Sequence, residues 1–267
     1  MGRLAFAKYE GLGNDFVVFG AVDEHVVTDE LARSICDRRR GIGADGVLLI
    51  LPPRDTTLAA RMKVINADGS VPEMCGNGIR CVALHVARAR GLVTAQLAFE
   101  TDAGARACTV DDVDAKGMVT VEMGVVRSDG ARAIEVGGET IEVWLADAGN
   151  PHAVVFGDAS RLRAEAIGPR IEKHPSFSGG INVECARVDP NGRVDLVVWE
   201  RGVGITMACG TGACATVGVL CARGMIPRGR AAIVRLPGGE LEITIDDTGR
   251  AVMRGPARHV FSGQLSA

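Results

Sequence analysis

Two short stretches of this 267-residue chain repeat each other: Met74-Cys75-Gly76-Asn77-Gly78 and Ala208-Cys209-Gly210-Thr211-Gly212. Their cysteines stand 209 − 75 = 134 positions apart, half the length of the chain. A second pair, Gly13-Asn14-Asp15-Phe16 and Gly149-Asn150-Pro151-His152, recurs at 149 − 13 = 136. Spacing agrees as well, with 62 residues from Gly13 to Cys75 and 60 from Gly149 to Cys209. One short match can arise by chance; two in register mark a duplicated unit, so the chain is expected to fold as two similar halves.

Both motifs sit in the same local setting. Residues 61–66 alternate and are rich in β-branched side chains, as a strand would be, and Ala67-Asp68-Gly69-Ser70 reads as a turn. After the first motif Ile79, Val82, Ala83, Val86 and Ala87 recur at helical spacing until Gly91. The second motif follows a hairpin of residues 183–188 and 194–199, turning at Asp189-Pro190-Asn191-Gly192, and leads into residues 213–222, small and apolar as in a buried helix. Strands are expected at 4–9, 16–21, 47–51, 96–101, 118–123, 141–145 and 153–156, a late hairpin at 231–236 and 241–245, and a helix at 29–37. The fold expected is α+β: two pseudo-symmetric halves, each a curved, mostly antiparallel sheet around a central helix, with the active site in the cleft between them. The halves are read as 1–130, carrying Cys75, and 131–267, carrying Cys209, joined near residues 125–137, with the C-terminal tail able to pack back on the first half.

Composition narrows the function. Thirty Lys+Arg against 33 Asp+Glu give a net charge of 30 − 33 = −3, without a basic face for nucleic acid or an anionic membrane. No run of about 18 apolar residues occurs, so no membrane span is expected. The first nine residues are too short and mixed for a signal peptide, which points to the cytoplasm. Only four basic residues are lysines, Lys8, Lys63, Lys116 and Lys173, leaving few candidates for a Schiff base to pyridoxal phosphate. The eight cysteines include no Cys-x-x-Cys pair, so neither a disulfide scaffold nor a zinc site is expected.

A cysteine where a glycine-rich turn enters a helix meets free N–H groups and the positive end of the helix dipole. Its thiolate is expected to be stabilised there, and the same N–H groups can hold a carboxylate. Two such sites related by pseudo-twofold symmetry suit a reaction with mirror-related halves. Inversion of a stereocentre is one: a base takes the α-proton on one face and an acid returns one on the other. Cysteine is more often a small buried hydrophobe, and Cys36, Cys81, Cys108, Cys185, Cys214 and Cys221 read as packing. Cys75 and Cys209 are set apart by their duplicated Cys-Gly-x-Gly context.

Asn66-Ala67-Asp68-Gly69-Ser70, the stretch from Met74 through Cys81, Gly149-Asn150-Pro151-His152, and Glu200-Arg201-Gly202 leading to Ala208 through Cys214 resemble the motifs of diaminopimelate epimerases. The resemblance runs from Gly11 to Ala257. It implies interconversion of LL- and meso-diaminopimelate, on the route to lysine and peptidoglycan, in the cytoplasm, without pyridoxal phosphate or metal. It casts Cys75 and Cys209 as the acid/base pair. Gly76 with Asn77 and Gly210 with Thr211 become donors to the α-carboxylate. Asn14, Asn66, Asn150, Asn182, Glu200 and Arg201 bind substrate, several at its distal end, and His152 and Glu200 help set the thiol protonation states. Two departures stand out. Ile205 occupies a position where the family usually has glutamate, and Phe261 one where it often has a tyrosine at a dimer contact; the ring is kept, so a homodimer is still expected.

Three other readings remain open on the sequence: a same-fold racemase for proline, hydroxyproline, histidine or a broader range of amino acids; a thiol redox or peroxide-sensing protein; and a non-catalytic amino-acid-binding module. Proline racemases typically have histidine where Asn77 stands and lack the Glu200-Arg201 pair. A redox pair leaves the duplicated glycines and the asparagines unexplained, and a binding module has no need of two activated thiols.

Overall fold

The computed structural model describes residues 3–21, 23–113 and 116–266. Its contacts divide the chain into two units, Met1–Val121 with Gly255–Ala267, and Glu122–Arg254.

The first unit contains β1 (Arg3–Gly11), β2 (Asn14–Gly20), α1 (Asp29–Cys36), β3 (Gly46–Leu51), β4 (Ala60–Asn66), α2 (Gly76–Ala89), β5 (Ala95–Thr101), β6 (Gly104–Val110) and most of β7 (Lys116–Val125). Several strands adjacent in sequence pair antiparallel: β1 with β2, β3 with β4, β5 with β6 and β6 with β7. Two pairs are parallel, β2 with β3 and β4 with β5. A parallel pair needs a long crossover, and α1 and α2 are those crossovers. Thr28 caps α1 through its hydroxyl, accepting from Leu31 N–H, and the helix lies over β3 and β4 on a cluster that includes Phe19, Ile35, Leu49 and Ile65. α2 packs instead against β1, β2, β3, β4 and β6, the central helix of its unit.

The second unit follows the same plan. It runs β8 (Arg127–Val136), β9 (Glu139–Asp147), β10 (Pro151–Phe156), α3 (Arg161–Glu172), β11 (Asn182–Val188), β12 (Val194–Glu200), the short β13 (Gly204–Ile205), α4 (Gly210–Ala222), β14 (Ala232–Leu236), β15 (Gly239–Ile245) and the first residues of β16 (Arg250–Ser266). Here too the parallel pairs, β10 with β11 and β12 with β14, are the ones a helix crosses, through α3 and α4. α4 is the central helix, against β8, β9, β10, β11 and β15. α3 is the counterpart of α1, and Gly168 in it makes room for the Trp199 indole.

The two central helices also end alike. Gly91 (φ 65°) donates to Arg88 O and Leu92 to Ala87 O; Gly224 (φ 70°) donates to Cys221 O and Met225 to Leu220 O. Both are Schellman caps, in which a left-handed glycine lets the chain turn back and satisfy the last carbonyls. The duplication therefore spans each helix from its cysteine to its terminal glycine.

Three parts depart from the sequence expectations. Most of residues 125–137, read as a joint, form β8 (Arg127–Val136), which pairs with β9. The boundary between units falls after Val121, whereas the sequence placed it after residue 130. The late hairpin turns on Pro237 and Gly238, with Gly239 already paired to Leu236. The tail, Gly255–Ala267, belongs to the first unit, where Arg258–Ser266 pairs antiparallel with β1.

Candidate active site

In the first unit Cys75 is the N-cap of α2. Its backbone is extended (φ −134°, ψ 110°), and its Sγ accepts from Gly78 N–H at 3.3 Å. A Cβ at position 78 would come within 3.0 Å of Leu48 and 3.3 Å of Sγ, so glycine is what lets the sulfur settle over the first turn. One turn on, Arg80 is completely buried and donates to Gly76 O (3.2 Å), Asn77 Oδ1 (2.9 Å) and Pro256 O (3.2 Å). Asn77 Nδ2 in turn donates to Asn14 Oδ1 (2.6 Å), and Asn14 Nδ2 to Asp45 Oδ2 (3.1 Å). This chain of bonds fixes which way each amide points and ties Asn14, at the start of β2, to the helix that carries Cys75. Asn66, at the end of β4, donates to Ser70 Oγ at 2.9 Å across the predicted turn.

In the second unit Cys209 is the N-cap of α4 (φ −123°, ψ 112°), with Gly212 N–H 3.3 Å and Thr211 Oγ1 3.5 Å from Sγ. His152, on β10, is fully buried between Asn150 Oδ1, 2.8 Å from Nε2, and Glu184 Oε1, 2.7 Å from Nδ1. Glu200, at the end of β12, accepts from Thr206 Oγ1 at 2.6 Å. Asn182 opens β11, donating to Pro151 O (3.0 Å) and accepting from Arg201 N–H (2.9 Å). The Arg201 guanidinium is exposed and rests on the carbonyls of Gly179 and Gly180; no carboxylate pairs with it among the described residues.

The electrostatics correct one expectation. Burial, followed by the charges of Glu200 and Glu184, pushes the Cys209 thiol well above its ordinary value, and the Thr211 hydroxyl and Gly212 amide only partly oppose this. A helix N-terminus alone would stabilise the thiolate; two carboxylates and desolvation outweigh it. Glu200 is itself pushed up, first by burial and then by Glu184, against the Thr206 hydrogen bond and the nearby His152. Cys75 is only partly buried.

The other six cysteines are buried, as expected of packing residues. Ile205 lies on β13, partly buried against the cluster that includes Ile167 and Val183. The hydrogen bond to Glu200 comes from its neighbour Thr206, so it survives the loss of a carboxylate at 205. Phe261, on β16, is 45% exposed and sits edge-on to Phe6, with ring centroids 5.9 Å apart. Sequence reasoning missed Glu184, Thr206, Asp45 and the role of Arg80. For Glu184 a signal existed: a charge inside the run Val183–Ala186, in a strand flanked on both faces by apolar residues, is rarely there without a partner. Among the described residues no three His, Cys, Asp or Glu side chains converge to hold a metal, and no helix is long and apolar enough to cross a membrane.

The diaminopimelate epimerase family model matches residues 6–128 and 144–260. The chain is 45% identical to a diaminopimelate epimerase of Desulforudis audaxviator over 98% of this chain and 99% of that one. It is 42% identical to one of Synechocystis, over 98% of each. Among solved structures, a hydroxyproline epimerase from Agrobacterium vitis with bound trans-4-hydroxy-L-proline has the same fold, with a TM-score of 0.76 at 19% identity over 98% of this chain and 92% of that one. A probable proline racemase from Agrobacterium radiobacter gives a TM-score of 0.77 at 18% identity over 98% and 93%.

Proposed function

The chain belongs to the diaminopimelate epimerase family and epimerises diaminopimelate, and we propose that it does so with Cys75 and Cys209 as the two acid/base groups and without a cofactor. One sulfur, as thiolate, takes the α-proton: the C–H bond breaks and an S–H bond forms. The other, as thiol, gives its proton to the opposite face of the same carbon, leaving a thiolate. The protonation pattern is then reversed, and the same machinery runs the return reaction.

Negative charge that develops on the α-carboxylate is met by N–H groups at the starts of α2 and α4, donors fixed in place before the reaction begins. Gly76, Asn77, Gly210 and Thr211 supply them. The held proton on Cys209 makes it the donor of the unliganded protein. Asn14, Asn66, Asn150, Asn182, Glu200 and Arg201 bind the substrate, with Arg201 taking the distal carboxylate. We also read the enzyme as cytoplasmic, in lysine biosynthesis, and as a homodimer with Phe261 in the contact; sedimentation of the native protein and of Phe261→Ala tests the last point.

The observation that carries the reading is the repeated N-cap: each sulfur accepts the N–H three residues on at 3.3 Å, at the head of its unit's central helix. Epimerisation of LL-diaminopimelate in deuterium oxide, followed by chiral analysis, tests it. Cys75→Ala and Cys209→Ala should each lose several orders of magnitude in rate; either variant keeping more than a few per cent of activity rejects the pair.

A further inference from the structure

Glu184 belongs to none of the motifs that mark the site, yet its side chain is completely buried. Oε1 lies 2.7 Å from His152 Nδ1, while Oε2 has no hydrogen-bond partner among the described residues. A buried carboxylate with one unmatched oxygen is strongly disfavoured unless a cation stands beside it. His152 can be that cation. Its second nitrogen, Nε2, lies 2.8 Å from Asn150 Oδ1, another acceptor. Acceptors at both ring nitrogens require two N–H groups, and a ring with two is an imidazolium.

The consequence reaches Asn150. With Oδ1 occupied by the ring, Asn150 Nδ2 makes no hydrogen bond among the described residues and keeps both its N–H groups for a ligand. Glu184 is held in its turn: a Cβ on Gly212 would lie 2.9 Å from Oε1, so the second glycine of the Cys209 motif is the space this carboxylate needs. The other titratable groups against the pair are Glu200, from β12, and Cys209, at the head of α4; burial pushes both up, and neither hydrogen-bonds a ring nitrogen of His152.

We propose that Glu184 is a positioning residue for the epimerisation: it is the counter-ion that keeps His152 doubly protonated, and through the Nε2–H it holds the Asn150 carboxamide with its NH2 group presented to a substrate carboxylate. This rests on Asn150 as a substrate contact, part of the function proposed above.

Nitrogen NMR of protein labelled with 15N-histidine, with His152 assigned by loss of its signals in His152→Gln, reads the ring directly. At pH 7 both His152 nitrogens should carry protons in the native protein, and one should be bare in Glu184→Gln. That variant should raise KM for diaminopimelate about tenfold, with a smaller change in kcat, and Glu184→Asp, one methylene too short to reach the ring, should do the same. A neutral ring in the native protein, an imidazolium that survives Glu184→Gln, or an unchanged KM in that variant overturns the proposal. The spectrum of the native protein needs neither turnover nor a variant at position 184, so it fails or holds independently of the roles of Cys75 and Cys209.

Discussion

The Glu200 carboxyl lies beside the Cys209 thiol, and after burial its charge is the largest influence keeping that thiol protonated. Raising a thiol's pKa removes thiolate at every pH below it, and only thiolate is alkylated. Cys209 should therefore react slowly with iodoacetamide at pH 7, with a rate that climbs well into the alkaline range. Glu200→Gln removes a negative neighbour, lowers the thiol pKa and should speed alkylation at pH 7, because the thiolate fraction grows about tenfold each time that pKa falls by one. Peptide mapping of the modified protein separates Cys209 from Cys75; a rate indifferent to Glu200 would show that burial and Glu184 govern the thiol without it.

The proposed role of Arg201, taking the distal carboxylate, suits a guanidinium that no carboxylate pairs with among the described residues. It is held by backbone carbonyls, with Asn182 fixing its N–H, so its position is set before a carboxylate arrives. Arg201→Ala should weaken diaminopimelate by roughly 2 kcal/mol or more in kcat/KM while changing turnover of a monoamino acid little. Equal losses on both would make the residue structural.

Gly168 is a packing requirement. A Cβ there would lie 2.6 Å from Trp199 Cγ, and the indole cannot swing away freely because its Nε1 donates to Glu172 Oε2 at 2.7 Å. Gly168→Ala should cost about 1–3 kcal/mol and lower Tm by several degrees. An unchanged melting curve would mean that the indole moves aside at no cost.

Acid should weaken the region around Asn14 first. Burial works to raise the Asp15 pKa, but hydrogen bonds from Arg38 and Lys8, with their charges, more than reverse this and hold it below the usual carboxylate value. Lys8 Nζ is 2.6 Å and Arg38 Nη2 2.7 Å from the carboxylate. The stability it contributes is complete above the unfolded-state pKa of about 3.9 and is lost as pH falls through the lower folded value. Urea unfolding midpoints should thus decline below about pH 4, and Asp15→Asn should lower the midpoint at pH 7 and flatten that decline.

Much of the fold is legible in the chain. The duplication, α1, α2, α4 and most strands follow from hydrophobic period and turn residues, and both cysteines fall at the N-caps that the glycine-rich turns predict. α3 is not legible in this way, because Pro169 stands inside it and reads in a sequence as a helix breaker. The repeat itself holds the clue: α1 begins at Asp29, and adding the offset of 134 between the cysteines reaches 163, inside α3. The asparagines stand out in the sequence, whereas Asp45, which holds Asn14, and Glu184, which holds His152, lie 31 and 32 positions from their partners and meet them only once the sheets are assembled. The state of Cys209 escapes sequence reasoning for the same reason: the helix start is local, but the carboxylates that outweigh it are not.

β1 takes its partner from Arg258–Ser266, beyond the whole of the second unit. During synthesis that stretch leaves the ribosome only after residues 122–254 have emerged. The later-made unit thus has all its strands available while the earlier-made one still waits to close its sheet, an inversion of the usual N-terminal-first order. Chains truncated before residue 258 lack that partner, leaving one edge of β1 open to chaperones or to other copies.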